Sequence, residues 1–107
     1  MAWMLLLLAG AFEISFAVGL KYTEGFTKLV PSVLTCVCAI LSFGLLNWAI
    51  RTLPVGTAYA VWTGIGALGT AVYGIFMFGE SSAVPRIVCL SFILIGVVGL
   101  NIVSESA

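Results

Sequence analysis

A small set of side chains in this sequence has the chemistry to bind an organic cation. The set consists of Glu13, Ser42, Tyr59 and Trp62. Glu13 supplies a negative charge, and Tyr and Trp rings attract cations through their π-faces. Their O–H and N–H groups also need hydrogen-bond partners in a dry setting, and a hydroxyl such as Ser42 can supply one. These residue types therefore predict a cation site.

Glu13 lies inside an apolar run that is long enough to cross a membrane. The other residues from Met1 to Leu20 are uncharged and mostly apolar, and at about 1.5 Å per residue they span a hydrocarbon layer of about 30 Å. A charged residue at the centre of such a helix costs about 2.5 to 3.5 kcal/mol, so Glu13 must be protonated or face a protein cavity. Transport is the favoured role. The alternative is a neutral acid whose hydrogen bond fixes helix pairing.

The composition excludes a soluble domain. Hydrophobic residues make up 63% of the chain and charged residues 7%, whereas soluble domains carry about 25% charged residues. Its 107 residues allow about four helical spans of about 20 residues, with no room for a separate soluble domain. We expect an all-α, multi-pass protein of the inner (plasma) membrane.

Several other functions lack their residues. The chain has no histidine and no Lys/Arg-rich run, and it offers no acid pair or metal-ligand spacing. We therefore expect no catalytic site, no metal, no cofactor and no nucleic-acid partner. The three cysteines, Cys36, Cys38 and Cys89, are interpreted as small apolar residues.

Hydropathy divides the chain into four spans within a single domain covering residues 1–107. The spans are predicted at about residues 2–20, 30–50, 57–78 and 86–103. All three prolines fall at span edges, and every charged residue except Glu13 falls outside the spans or, for Arg86, at the first position of one. The partition therefore leaves Glu13 as the one charged residue type at membrane depth.

The basic residues are nearly balanced across the membrane. Lys21, Lys28 and Arg86 lie on one side, and Arg51 with the terminal amine lies on the other. Under the positive-inside rule this difference barely favours one orientation. Two copies in opposite orientations would form the inverted repeat that builds alternating access. The same chain could therefore insert both ways round, which is the dual topology that an antiparallel homodimer requires.

Helical spacing places small residues beside the carboxylate. On the first span one face carries Leu6, Ala9, Gly10, Glu13, Phe16, Ala17 and Leu20. Gly10 and its alanine neighbours would let a helix or a ligand approach closely. On the third span Tyr59 and Trp62 lie on one stripe, although an interfacial aromatic belt is an equally good interpretation from the residues alone.

The third and fourth spans contain two further small-residue patterns. Residues 64–69 match G-x-G-x-x-G, but this segment follows no strand and is apolar, so it is not a dinucleotide site. We interpret Gly64 and Gly66 as a site of close packing and a hinge. Cys89, Gly96 and Gly99 on the fourth span form a small-residue face suited to dimer packing.

Three segments together resemble the small multidrug resistance family over essentially the whole chain. They are Glu13 within the first span, residues 21–27 (KYTEGFT) and residues 53–66 (LPVGTAYAVWTGIG). Within that family, Gly10 and the run WTGIGA (residues 62–67) are similar to the guanidinium exporter subtype.

The resemblance implies an antiparallel homodimer that exchanges protons for small organic cations through paired Glu13 carboxylates. By motif, Ser42, Tyr59 and Trp62 would line the site, Gly64 and Gly66 would bend, and Lys21 would lie at the first loop. Phe16 and Asn101 depart from the subtype, which usually has Trp and often Lys there. A broader quaternary ammonium or lipophilic cation exporter is the first alternative, and a small membrane scaffold or assembly subunit is the second.

Overall fold

The structure is a computed structural model that describes the backbone of residues 2–106 and the side chains of residues 2–103. It contains four helices: α1 (Ala2–Tyr22), α2 (Leu29–Ala49), α3 (Val55–Met77) and α4 (Val84–Ser106). Each is long and apolar enough to cross a membrane. The prediction of an all-α protein with four spans is therefore confirmed.

The helix bounds differ from the predicted spans by up to three residues. Helix α3 begins at Val55, two residues earlier than expected, because the Ala58 N–H donates to the Pro54 carbonyl at 3.0 Å. Pro54 has φ −58°, which suits the residue that precedes a first helical turn. Pro31 lies in the first turn of α2, as predicted.

The connection between α1 and α2 is organised by Thr23, whose side chain is buried. Its hydroxyl donates to the Leu20 carbonyl at 2.8 Å and accepts from the Phe26 N–H at 3.3 Å. Glu24, Gly25 and Phe26 have φ values of 50°, 74° and 66°. These three left-handed residues reverse the chain within a short loop.

The four helices form a flat layer in the order α2, α1, α3, α4. Helix α1 packs against both α2 and α3, whereas α4 packs only against α3 among the described helices. The layer measures 46 × 35 × 16 Å across its Cα atoms. Because α1 runs parallel to α3 and antiparallel to α2, the 22–29 and 77–84 connections lie at one membrane face.

The buried apolar core lies toward the opposite face, near the connection between α2 and α3. It consists of Leu5, Leu6, Ala9, Ala49, Ala58, Val61 and Trp62. Within residues 2–103 helix α4 contributes no fully buried residue, although Val97 and Leu100 lie against the core. Most of α4 is therefore free to contact lipid or another chain.

Candidate functional site

Glu13 lies where α1 crosses α3, and its side chain rests on the backbone of Gly66. A Cβ atom placed on Gly66 would lie 2.5 Å from Glu13 Cγ, closer than real Cβ atoms approach. Glycine at position 66 therefore makes room for the acid. Within residues 2–103 the half-buried Glu13 carboxyl group forms no hydrogen bond or ion pair, so it remains available to a ligand.

A cavity of about 430 Å³ opens beside Glu13. Its lining residues are mostly small, with one ion pair at the edge: Glu13, Ala17, Thr63, Gly66, Ala67, Thr70, Ala71, Glu80 and Arg86. The six small lining residues leave this space open beside Glu13. The volume is ample for a small organic cation and accompanying water.

Ser42 and Trp62 form a buried hydrogen-bonded chain next to this site. The Trp62 Nε1–H donates to Ser42 Oγ at 2.8 Å, and the Ser42 hydroxyl donates to the Ala9 carbonyl at 2.7 Å. Ser42 is 0% and Trp62 4% exposed. Every polar hydrogen in this chain is satisfied, so the indole is held in one orientation against α1 and α2.

The bonded pair lies one helical turn from the carboxylate. Ala9 precedes Glu13 by four residues on α1, and Trp62 precedes Gly66 by four residues on α3. Four residues correspond to about 6 Å along a helix axis. Neither Ser42 nor Trp62 is among the residues that line the cavity beside Glu13.

The two aromatic candidates on α3 occupy different environments. Trp62 belongs to the interior, where its ring is 5.3 Å from Phe43 and 5.5 Å from Tyr59 between centroids. Tyr59 is 56% exposed. The structure therefore brings Tyr59 to Trp62, and not to Glu13.

Gly10 and Phe16, also proposed from the sequence, lie on either side of Glu13. A Cβ atom on Gly10 would lie 2.9 Å from Ile65 Cβ, so this glycine allows close contact between α1 and α3. Phe16 is half-buried, one turn beyond Glu13, and is not among the residues that line the cavity.

The glycines of α3 provide the close packing expected of them. A Cβ atom on Gly64 would lie 2.5 Å from Val97 Cγ2 of α4, while Gly66 faces Glu13 of α1. Helix α3 is continuous through both positions. The hinge at Gly64 and Gly66 stays a prediction.

The proposed dimer face on α4 is open. Cys89 and Gly96 are exposed and Gly99 is half-buried. A Cβ atom on Gly96 or Gly99 would meet nothing within 4 Å. The role of this face in dimer packing stays a prediction.

Sequence reasoning missed Thr63, Thr70, Glu80 and Arg86 as cavity residues. Thr63 and Thr70 lie three residues before and four residues after Gly66, which places them on its helix face. That spacing could have predicted both threonines as cavity residues. No sequence pattern could have predicted Glu80 and Arg86, because their approach to the cavity depends on how the 77–84 connection folds.

Comparison with known proteins identifies the family of this fold and site. The family model described as Small Multidrug Resistance protein matches residues 1–93. The chain belongs to the small multidrug resistance family. It is 54% identical over 102 residues to a guanidinium exporter of Citrobacter freundii, covering 95% of this chain and 97% of that relative. It is 53% identical over 104 residues to a guanidinium exporter of Proteus vulgaris, covering 97% and 100%.

Family membership and the four apolar helices together establish a multi-pass inner-membrane protein of a transport family. A guanidinium exporter of Salmonella typhimurium strain LT2 is similar at 52% identity over 102 residues. The resemblance to the small multidrug resistance family and its guanidinium exporters is therefore confirmed.

Proposed function

We propose that this protein is a proton-coupled antiporter that exports guanidinium and substituted guanidinium cations. The Glu13 carboxylates of two antiparallel copies share the transport site. The observation that carries the proposal is the position of Glu13, which lies in the middle of a membrane span beside a cavity, with no hydrogen bond or ion pair to its carboxyl group within residues 2–103.

The charge of Glu13 explains why proton and substrate would exchange. An ionised carboxylate away from water needs a compensating positive charge, which a bound proton or an organic cation can supply. Both neutralise the same group, so binding of one displaces the other. Antiport follows from that competition.

The shape of guanidinium suits this carboxylate. Its N–H donors lie in one plane around the ion and can form paired hydrogen bonds to a carboxylate. The names of the relatives, guanidinium exporters at 52% to 54% identity, support this choice of substrate.

A second copy would complete the site. One chain is a layer only 16 Å thick, carries a single acid at membrane depth and exposes most of α4. Two chains in opposite orientations can enclose the cavity between them and expose it alternately to each side. The near balance of Lys and Arg across the membrane permits both orientations.

Transport in proteoliposomes tests the proposal. In proteoliposomes with an acidic interior, guanidinium added outside should be taken up in exchange for protons. Guanidinium binding should also release protons from the protein. Glu13→Gln should abolish both the uptake and the proton release. Glu24→Gln is the matched control, because Glu24 lies exposed in the loop after α1. It should leave both activities near the wild-type level.

Three outcomes would overturn the proposal. If substrate still released protons from Glu13→Gln, Glu13 would not be the group for which proton and substrate compete. If a proton gradient drove no cation transport by the wild-type protein, a scaffold role would be supported instead. Transport of quaternary ammonium ions but not of guanidinium would favour the multidrug alternative.

A further inference from the structure

An ion pair between Glu80 and Arg86 lies at the edge of the Glu13 cavity. Glu80 belongs to the connection between α3 and α4, and Arg86 lies in the first turn of α4. Arg86 Nη2 donates to Glu80 Oε1 at 2.9 Å, and Arg86 Nη1 donates to the Ser81 carbonyl at 2.9 Å. The side chains of Glu80 and Arg86 are 42% and 32% exposed. Both residues line the cavity, so the pair is accessible from solvent and from the cavity at once.

A row of small residues on α3 connects this pair to Glu13. The Glu80 carboxylate lies over Gly74, where a Cβ atom would come within 2.6 Å of Glu80 Cδ, just as Glu13 lies over Gly66. The two glycines are eight residues apart, or about 12 Å along the helix.

Thr70 lies midway between the two glycines on the same helix face and also lines the cavity. Its hydroxyl oxygen is buried and has no hydrogen-bond partner in the described part of the chain.

We infer that Glu80 is an outer binding site for guanidinium-type cations, at which the incoming ion replaces the guanidinium group of Arg86 before it reaches Glu13. This inference rests on the proposed function for the identity of the ion. The Arg86 side chain ends in the same chemical group as the substrate, so the carboxylate that accepts its N–H donors also suits the free ion.

Exchange at this site is energetically easy. A half-exposed ion pair contributes little net stability, because both partners can be solvated when they separate. Arg86 keeps its second hydrogen bond, to the Ser81 carbonyl, when Glu80 is taken by another cation. The side chain of Arg86 thus acts as a tethered competitor that is displaced when substrate is abundant.

The Arg86 side chain gives a direct readout. The chain has two arginines, Arg51 and Arg86, and Arg51 lies exposed at the opposite membrane face. In ¹⁵N-labelled Glu13→Gln protein in nanodiscs, guanidinium chloride should shift the Arg86 Nε–Hε signal more than equimolar KCl does. The Arg51 signal is the internal control, and Arg86→Lys assigns the peak. Equal shifts of both signals with both salts would overturn the inference.

Transport kinetics separate an outer site from a purely structural ion pair. Glu80→Gln should raise the KM for guanidinium by about two- to fivefold, whereas Arg86→Gln should lower it by a similar factor, because it frees Glu80. If the pair only holds the turn together, both variants should change KM in the same direction. The exposed Glu24–Lys28 pair, at 3.6 Å on the same membrane face, is the matched control, and Glu24→Gln and Lys28→Gln should leave KM unchanged.

The two arms distinguish this inference from the proposed function. The spectroscopic arm uses a variant that cannot transport, so a selective Arg86 shift supports the outer site even if the wild-type protein exports another cation. Normal guanidinium transport by the wild-type protein without that shift would overturn the outer site alone.

Discussion

At the scale of single residues, Ser42 is what fixes the Trp62 ring. Its one hydroxyl accepts the indole N–H and donates to the Ala9 carbonyl. It thereby connects three helices through two hydrogen bonds. A hydroxyl can do this because it is both a donor and an acceptor.

Ser42→Ala should destabilise the protein by about 1 to 3 kcal/mol, because it leaves the buried indole N–H without an acceptor. Unfolding in a detergent titration would measure the change. Ser91→Ala is the control, since the exposed Ser91 hydroxyl bonds to the Ile87 carbonyl one turn earlier on its own helix. It should change stability by less than about 0.5 kcal/mol. Equal losses of stability in both variants would show that the hydrogen bonds of Ser42 stabilise the protein no more than an exposed bond within one helix.

Phe16 sets a second prediction at this scale, one turn from Glu13 on α1. An indole at position 16 could donate a hydrogen bond to the carboxylate, whereas a phenyl ring cannot. A site with fewer polar groups disfavours bare guanidinium, while a substituted cation gains about 25 cal/mol for each Å² of apolar surface it buries. Phe16→Trp should therefore narrow the substrate range toward guanidinium.

Transport currents for guanidinium and phenylguanidinium, recorded side by side in both proteins, measure this narrowing. The ratio of guanidinium to phenylguanidinium current should rise in Phe16→Trp. An unchanged ratio would show that Phe16 does not set selectivity.

At the scale of helices, glycine controls how closely they approach. Gly66 admits Glu13, Gly64 admits Val97 and Gly10 admits Ile65. A G-x-G-x-x-G pattern that binds nucleotides in other folds therefore serves here for contacts between helices. Within a membrane such contacts depend on close packing, because lipid tails are as apolar as the side chains and the hydrophobic effect does not drive helices together.

These elements show what the sequence could and could not predict. Apolar runs bounded by charge and proline defined all four helices, since a membrane span leaves a strong compositional signal. For the same reason the lone carboxylate at depth predicted a cation site at Glu13, and this role stays a prediction. The Ser42–Trp62 bond and the approach of Glu80 to the cavity depend on helix rotation and loop geometry, which periodicity does not specify.

The loop between α1 and α2 gives a prediction at the scale of elements. Gly25 has φ 74° with nothing near its missing Cβ atom, so only backbone conformation opposes a side chain there. Gly25→Ala should lower the free energy of unfolding by about 1 kcal/mol.

Gly56→Ala is the matched control, because Gly56 lies in α3 and its added Cβ atom also meets nothing within 4 Å. It should be neutral or stabilising in the same detergent titration, since alanine favours helix. Similar losses in both variants would contradict the assigned role of the left-handed loop.

At the scale of the whole molecule, the proposed antiparallel dimer would cover the open surfaces of a flat single-chain layer. Its core is confined to one end of the layer, and the Glu13 cavity lies open along α3. The exposed face of α4 and the balanced basic residues both suit a second copy in the opposite orientation. Activity should therefore depend on how the population of chains is oriented.

Two or three lysines added after Ala107 test this dependence. They increase the positive charge on the side that carries Arg51 and should bias insertion toward one orientation, because basic residues are retained in the cytoplasm. Guanidinium export should fall, and co-expression with a copy biased the opposite way should restore it. Added serines in place of the lysines are the control and should leave export unchanged. Accessibility of a reporter cysteine at the tail would measure the orientation, and normal export by a population shown to be uniformly oriented would rule out the antiparallel dimer.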